Sequence, residues 1–254
     1  MEFLNGIVVY RKEAMETVYH HPQIAEIKGF LDEQYCLEVI EFMDGNDDDG
    51  DYWNPICFPS VLGVNVGEPK ATDKISVEDM GKIRDKMLGA VEEVMGKTVK
   101  NVTMSGHKYP PGSYADPHSD SSELDGTPNA WQMNKYACIL YLNANYDGGA
   151  LYFPQHDLDV HPEAGSLLVF EGSHDFLHGV RKITSGDRFT ILAFWDDKDS
   201  IYDKDFLDKK VELQRTALDY VESSHDYGEY NGKTFGKQKP EDLYSILGES
   251  SQHS

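Results

Sequence analysis

The sequence predicts a mainly β fold with flanking α-helices, in which short antiparallel strands form a sandwich or barrel. After Gly96 the apolar residues fall in short runs, separated by turns such as DGG, PEAG and TSGD. No helical pattern interrupts these runs until about residue 196. Because parallel strands need long crossover connections, this order favours antiparallel pairing.

Two helices are predicted before the strands. Asp32 is a suitable N-cap for the segment EQYCLEVIEFM, where Cys36, Ile40 and Met43 share one stripe. Ser76 and Asp79 form a capping-box pattern that begins a second helix, and Gly96 is suited to end it. The apolar face predicted for this second helix consists of Met80, Ile83, Met87, Val91, Val94 and Met95.

The strands lie between the second helix and a charged C-terminal region. They are predicted at Val99–Tyr109, Lys135–Asn143, Ala150–Phe153, Ser166–Phe170, His178–Ile183 and Arg188–Trp195. The remaining sequence is compatible with a helix followed by a poorly ordered tail rich in Gly, Lys and Ser. We therefore expect one domain with three parts: helical support over 1–98, a β core over 99–197, and a C-terminal helix and flexible tail over 198–254.

Composition limits the partners that the protein can have. A net charge of −22, from 45 acidic and 23 basic residues, repels phosphate backbones and anionic lipids. Nucleic acid and membrane are therefore not expected as partners, whereas a basic or neutral polypeptide or a small molecule fits. The alternative interpretation is that the charge only keeps the protein in solution or suits a salty environment.

Localisation is predicted from the cysteines and from the first residues. The three cysteines contain no C-x-x-C pair, and the opening MEFLNGIVVYRKEAME lacks the pattern of a secretory signal. No run reaches the ~18 apolar residues of a membrane-spanning helix. We therefore expect a reducing, cytoplasmic environment.

The segment YADPHSDSSELD contains a histidine and an acid two residues apart, His118 and Asp120. On a β-strand such residues point to the same face, so that both side chains can converge on one metal ion. A solvated turn rich in Asp and Ser is the alternative, because short H-x-D strings are common. This triplet alone does not decide between the two.

A second segment, FLHGVRKITSGDRFTILAFW, supplies the further residues that such a site needs. His178 begins one predicted strand, and Arg188 lies near the start of the next, so both side chains can face one cavity. Two histidines and one carboxylate leave coordination positions open and suit non-haem Fe(II). A buried arginine beside them is suited to holding a carboxylate through two hydrogen bonds.

Several ordered segments now identify a resemblance to the 2-oxoglutarate- and Fe(II)-dependent dioxygenases, and within them to the prolyl 4-hydroxylase-like branch. The resemblance covers about residues 104–197, with a weaker similarity in FLDEQYCLEVIEFM. It departs from the usual family pattern at Leu151, where Thr is frequent. The segments that carry it are KYPPGSYADPHSD, CILYLN, DGGALYFP and HPEAGSLLVFEG.

The resemblance implies a double-stranded β-helix, or jelly-roll, core supported by the N-terminal helices. It implies that the iron ligands are His118, Asp120 and His178. Arg188 then matches the residue that holds the distal carboxylate of 2-oxoglutarate, and Tyr109 and Tyr141 match tyrosines that bind this co-substrate. Core tyrosines with bonded hydroxyls are the alternative for these two. Trp195 and Trp131 are candidates for lining the substrate, although packing is the alternative for Trp195.

The implied activity is hydroxylation of a C–H bond by O2, with release of succinate and CO2 and with ascorbate as a reductant. Peptidyl proline is the leading substrate. Polar loops at 44–54, with Tyr52 and Trp53, and at 119–134 are expected to cover it. The alternatives are hydroxylation of a free amino acid, another residue type or a small molecule, or a jelly-roll binding module without activity. The oligomeric state stays open.

The other histidines are expected outside the metal site. His174 lies four residues before His178, but only His178 has the Gly-Val and the spacing to Arg188 that the family shows. We expect His174 to contact its own loop or solvent. The histidines expected at the surface are His20, His21, His107, His156, His161, His225 and His253.

Overall fold

The computed structural model describes residues 2–4, 7–9, 15–44, 53–56, 58, 60–66, 75–202, 229–230 and 233–234. The helices are α1 (Glu33–Asp44) and α2 (Val77–Met95). The strands are β1 (Glu2–Leu4), β2 (Ile7–Val9), β3 (Glu16–His21), β4 (Ile24–Lys28), β5 (Asn54–Pro55), β6 (Leu62–Asn65), β7 (Val99–Tyr109), β8 (Ala115–His118), β9 (Tyr136–Tyr141), β10 (Asp147–Gly148), β11 (Leu151–Phe153), β12 (Leu158–Val160), β13 (Leu167–Glu171), β14 (His178–Val180), β15 (Ile183–Ser185), β16 (Arg188–Asp197), β17 (Glu229–Tyr230) and β18 (Lys233–Thr234).

Two antiparallel sheets form the core of the fold. The main sheet has the order β3-β4-β13-β9-β16-β7-β6-β5, and the minor sheet has the order β12-β11-β14-β8. A short β10–β15 pair lies beside them. One apolar cluster joins residues of both sheets, among them Tyr141 and Phe170 of the main sheet and Phe153 and Val180 of the minor sheet. This arrangement confirms the predicted mainly β, jelly-roll fold.

The helices cover the other face of the main sheet, where a second apolar cluster lies. Because side chains alternate along a strand, each central strand contributes to both clusters. On β9, Cys138 and Leu140 belong to the cluster on the helix side, whereas Ile139 and Tyr141 belong to the cluster between the sheets. This alternation determines which residues of β9 and β16 reach the candidate site.

The helix ends follow the predicted capping chemistry. The Asp32 carboxylate accepts a hydrogen bond from the backbone N–H of Gln34 at 2.9 Å. At the start of α2, the Ser76 hydroxyl accepts from the Asp79 N–H, and the Asp79 carboxylate accepts from the Ser76 N–H. Gly96 ends α2 in the left-handed conformation with φ 61. Both predicted helices are confirmed.

The N-terminal region differs from the helical support that was predicted for residues 1–98. It contains both helices, but β3 and β4 extend one side of the main sheet and β5 and β6 extend the other. The sequence ETVYHHPQIAEIK has Pro22 but no glycine at its turn, and β3 is largely exposed, so neither a glycine turn nor alternation marked the hairpin. The prediction was incomplete.

The predicted strand His178–Ile183 is also corrected. It forms two short strands, β14 and β15, of which β14 joins the minor sheet and β15 pairs with β10. The next strand, β16, belongs to the main sheet, so the TSGD turn connects different sheets rather than a simple hairpin. His178, in the minor sheet, and Arg188, in the main sheet, therefore enter the space between the sheets from opposite sides.

Parts of two further predictions fall outside the described residues. Most of the C-terminal helix and tail predicted over 198–254 falls outside them, as does Tyr52 of the loop at 44–54. Trp53 is described, and it is buried in the cluster on the helix side, where its indole N–H donates to Asp44. None of the described helices is long and apolar enough to cross a bilayer.

Candidate Fe(II) and 2-oxoglutarate site

The two histidines of the candidate metal site lie opposite each other on neighbouring strands of the minor sheet. His118 is the last residue of β8 and His178 is the first residue of β14, and the two are paired in the ladder. Asp120 lies two residues beyond the end of β8. The prediction that one strand presents both members of H-x-D is therefore wrong in detail, because the loop after β8 positions Asp120.

The three side chains converge on one point. The Nε2 atom of His178 lies 3.5 Å from Asp120 Oδ2, and the Nε2 atom of His118 lies 3.8 Å from Asp120 Oδ1. One potential ligand atom from each residue lies within 4.8 Å of the other two. Among the described residues, this is the only group of three or more His, Cys, Asp or Glu side chains with such geometry.

Hydrogen bonds orient both imidazoles toward this point. The Nδ1 atom of His118 lies 2.8 Å from the Asp116 carbonyl, and that of His178 lies 3.1 Å from the Phe176 carbonyl. Because Nδ1–H donates to these carbonyls, the lone pair of each Nε2 faces the cluster. Burial lowers the pKa of His118 and, together with His118, lowers the pKa of His178 well below its usual value. Both rings are therefore neutral, as metal binding requires.

The loop carrying Asp120 is fixed by the backbone of Gly172. The N–H groups of Asp120 and Ser121 both donate to the Gly172 carbonyl, at 2.9 and 3.0 Å. A Cβ atom on Gly172 would lie 2.9 Å from the Asp120 Cβ and 2.5 Å from the Asn134 carbonyl oxygen. Only glycine therefore allows this close approach, which places the carboxylate beside the histidines.

Arg188 lies in a second part of the space between the sheets. It is the first residue of β16 and is 1% exposed, and its guanidinium carbon lies 4.7 Å from the Tyr109 ring centre and 4.8 Å from that of Tyr141. Burial raises the pKa of Tyr141 to about 12, so its hydroxyl stays protonated and can donate. Gly149 allows this packing, since a Cβ there would lie 3.2 Å from Arg188 Cδ.

Buried polar atoms without partners show that the site fits a metal ion and an anion. Asp120 Oδ2 has no hydrogen-bond partner, and burial raises the pKa of Asp120 well above its usual value. A bound cation would compensate this carboxylate, and the two-histidine, one-carboxylate donor set suits Fe(II). The Nε and Nη2 atoms of Arg188 are also buried without partners. They match the bidentate geometry of a carboxylate such as the distal one of 2-oxoglutarate.

The structure places the two tryptophan candidates in different surroundings. Trp195 is 1% exposed in the cluster on the helix side, and its indole N–H donates to Cys138 Sγ at 3.0 Å. The prediction that it lines the substrate is wrong, because it is seven residues from Arg188 and therefore faces the other side of β16. Trp131 is half-buried within the 119–134 segment, and its role stays a prediction.

Two side chains that were not predicted as site residues lie on the same side of β16 as Arg188. Leu192 and Phe194 lie four and six residues after Arg188, so they share its side of β16. Both are half-buried and pack against the cluster between the sheets. Even spacing from Arg188 was the signal that could have identified them.

An aromatic side chain also lies against one metal-ligand candidate, His118. The ring centre of Phe58 is 4.6 Å from that of His118. Phe58 is half-buried and packs against the same apolar cluster as Leu192 and Phe194. An apolar wall therefore lies beside the histidine.

The remaining histidines lie outside the metal cluster. His174 packs against Gly126, where a Cβ would lie 3.0 Å from the imidazole, so it contacts the 119–134 segment. His107 was expected at the surface but is buried. Its imidazole lies 2.9 Å from the Ser105 hydroxyl, and burial, with Arg188 nearby, lowers its pKa to about 4. His225 and His253 fall outside the described residues.

The fold and the two-histidine, one-carboxylate donor set are typical of Fe(II)-dependent oxygenases, and comparison with known families agrees with this class. The family model described as the 2OG-Fe(II) oxygenase superfamily matches residues 104–196. This range contains all three metal-ligand candidates and Arg188. The resemblance found in the sequence is thereby confirmed over residues 104–196.

Several of the similar proteins are prolyl hydroxylases. Prolyl 3-hydroxylase 1 of Gallus gallus is 37% identical over 73 residues, which cover 27% of this chain and 10% of that protein. A prolyl hydroxylase from Trichoplax adhaerens, solved with a peptide of hypoxia inducible factor, superposes with a TM-score of 0.55 at 16% identity and covers 70% of this chain and 84% of that one. The viral collagen prolyl hydroxylase of Paramecium Bursaria Chlorella virus-1, solved with 2-oxoglutarate, gives 0.50 at 18%, covering 69% and 96%.

The similarities to solved structures and to the curated relative differ in the length of chain that they cover. The solved structures share the fold with this chain at low identity. The curated relative is similar over one short segment, so the match spans about a tenth of its length.

Proposed function

We propose that this protein is an Fe(II)- and 2-oxoglutarate-dependent dioxygenase that hydroxylates a peptidyl proline and releases succinate and CO2. The observation that carries the proposal is the His118–Asp120–His178 cluster, which lies in the same space between the sheets as the buried, incompletely bonded guanidinium of Arg188. Prolyl hydroxylases among the curated relatives and among the solved structures support proline as the substrate.

Each element of the site has one task in this reaction. His118, Asp120 and His178 would hold Fe(II), which supplies the activation of O2 for attack on a C–H bond. Arg188 would hold the distal carboxylate of 2-oxoglutarate, and the protonated Tyr141 hydroxyl can donate to the same co-substrate. The apolar side chains between the sheets exclude water from the reacting atoms.

The substrate surface is proposed to suit a peptide with basic residues. Phe58, Leu192 and Phe194 offer half-buried apolar contacts for a proline ring. The chain from residue 109 to 180 contains ten acidic residues and a single lysine or arginine, Lys135, which is paired with Asp197. One of the ten, Asp120, is a metal-ligand candidate, and another, Asp159, pairs with Arg181 just beyond this range. The peptide bound to the Trichoplax adhaerens relative supports a polypeptide substrate.

The test uses Fe(II)-loaded full-length protein with 2-oxoglutarate and proline peptides that carry either lysine or glutamate beside the proline. We expect succinate release that depends on peptide, and a mass gain of one oxygen atom located on proline by fragmentation. His174→Ala serves as a matched control for His178→Ala, since only His178 belongs to the cluster.

The other outcomes separate the alternatives. Oxygen incorporation into a free amino acid, another residue type or a small molecule, with none into proline peptides, would establish the alternative substrate class. Metal and 2-oxoglutarate binding without succinate release from any substrate would indicate a binding module. Cytoplasmic localisation stays a prediction. Cys36 and Cys138 are buried and form no disulfide bond.

A further inference from the structure

A side-chain amide outside the metal cluster holds the loop that presents one metal-ligand candidate. Gln155 follows β11, and its Nε2 donates to the His174 carbonyl at 2.7 Å while its Oε1 accepts from the Leu177 N–H at 2.8 Å. Both partners belong to the segment immediately before His178. The carboxamide thus makes one donor and one acceptor contact with a single stretch of backbone.

This arrangement continues a strand pairing where the strands themselves end. β11 pairs with β14 through Leu151 with Val180 and Tyr152 with Gly179. After Phe153 the chain turns into a short 3-10 segment, Pro154–His156, so no further backbone amide of β11 can face the loop. A carboxamide has the same donor and acceptor as a peptide group, and Gln155 therefore substitutes for the missing pair.

The loop held in this way determines the orientation of His178. Its Nδ1 donates to the Phe176 carbonyl, which lies between the two backbone groups that Gln155 contacts. The neighbouring His156 strengthens the hold, because its Nε2 lies 3.0 Å from the Asp175 carbonyl and its ring stacks on Phe176 at 4.9 Å. Displacement of this loop would therefore rotate the imidazole that faces the metal.

We propose that Gln155 is a positioning residue for the metal ligand His178, acting through the 174–177 backbone. The inference rests on the metal site of the proposed function but not on its substrate. Gln155 is exposed and lies outside both apolar clusters, so its role in folding is small. A group that orients a metal-bound histidine typically changes metal affinity by about 10- to 100-fold.

The experiment measures metal binding directly, with Co(II) as a spectroscopic probe in place of Fe(II). Co(II) is titrated into the metal-free full-length protein, and its visible absorption gives affinity and coordination geometry. We expect Gln155→Ala to bind Co(II) about 10-fold more weakly or worse, with an altered spectrum. Gln155→Glu keeps the acceptor for Leu177 but repels the His174 carbonyl, so it should lie between Gln155→Ala and the unchanged protein.

The controls separate positioning from general destabilisation. Gln23 is an exposed glutamine on the turn between β3 and β4, outside the 174–177 loop, and Gln23→Ala should leave the Co(II) affinity and spectrum unchanged. Thermal melting of the metal-free variants should be similar. An unchanged Co(II) affinity and spectrum in Gln155→Ala would overturn the inference, whereas absence of proline hydroxylation would overturn only the proposed substrate.

Discussion

Replacing Arg188 by methionine tests the co-substrate site most sharply, because it should change two properties in different ways. Arg188 is 1% exposed between the rings of Tyr109 and Tyr141, and two of its nitrogens have no hydrogen-bond partner. Its role in the proposed reaction is to pair with the distal carboxylate of 2-oxoglutarate. Arg188→Met fills similar space but removes the charge.

The expected loss of co-substrate affinity follows from the burial of this charge pair. Removing one partner of a buried, hydrogen-bonded pair costs about 2–5 kcal/mol, since the other charge is left unpaired. At ~1.4 kcal/mol per decade, this is roughly 30-fold to several-thousand-fold weaker 2-oxoglutarate binding. Arg188→Lys should lie between, because lysine keeps the charge but loses the planar fork.

Without 2-oxoglutarate, the free energy of unfolding of Arg188→Met should be equal to or higher than that of the unchanged protein. A buried guanidinium without its anion is costly to fold, and an apolar side chain of similar volume avoids this cost. The assay is anaerobic titration of 2-oxoglutarate into the Fe(II) protein, followed by its charge-transfer absorbance, with thermal melting measured in parallel. Unchanged 2-oxoglutarate affinity in Arg188→Met, with intact metal binding, would refute the assignment.

Three further predictions concern the metal cluster and the substrate. His178→Ala should abolish Co(II) binding and turnover, while His174→Ala keeps most of both, and the reverse result would move the ligand to His174. Gly172→Ala forces a Cβ to 2.9 Å from that of Asp120, so metal affinity should fall about 10-fold or more, whereas Gly81→Ala, with open space around it, should not affect metal binding. Lysine-flanked proline peptides should react faster than glutamate-flanked ones at low salt, and the difference should shrink as salt is added. Equal rates at low ionic strength would leave the −22 charge with a role in solubility alone.

Much of the fold could be predicted because local chemistry and periodicity agree with it. β7 occupies the predicted range Val99–Tyr109, and α2 begins and ends at its predicted caps, Ser76 and Gly96. The β3–β4 hairpin escaped prediction because the exposed β3 has neither a glycine turn nor a one-sided apolar pattern. Its place was decided by pairing with β13, far along the chain.

The sequence predicts the metal-ligand candidates of the site but not the backbone contacts that position them. H-x-D and the distal histidine are visible as a pattern, yet Asp120 is positioned by the Gly172 carbonyl, a backbone contact that no side-chain motif encodes. Trp195 was a candidate because it lies near the end of the strand that carries Arg188. Spacing along β16 would have favoured Phe194 instead, since alternation places every second residue on the side of Arg188.

The order of strands in the main sheet has a consequence for how the protein folds. β16 comes after every other strand of that sheet in the sequence, yet it lies in the middle, paired with β7 on one side and β9 on the other. Before residues 188–197 have been synthesised, β7 and β9 cannot be bridged, and their backbone groups and apolar faces stay open to wrong partners. Pairings between such distant segments make folding slow. A nascent chain that stops short of β16 should therefore remain an aggregation-prone intermediate, and the insertion of this one strand completes the sheet and delivers Arg188 to the site in the same step.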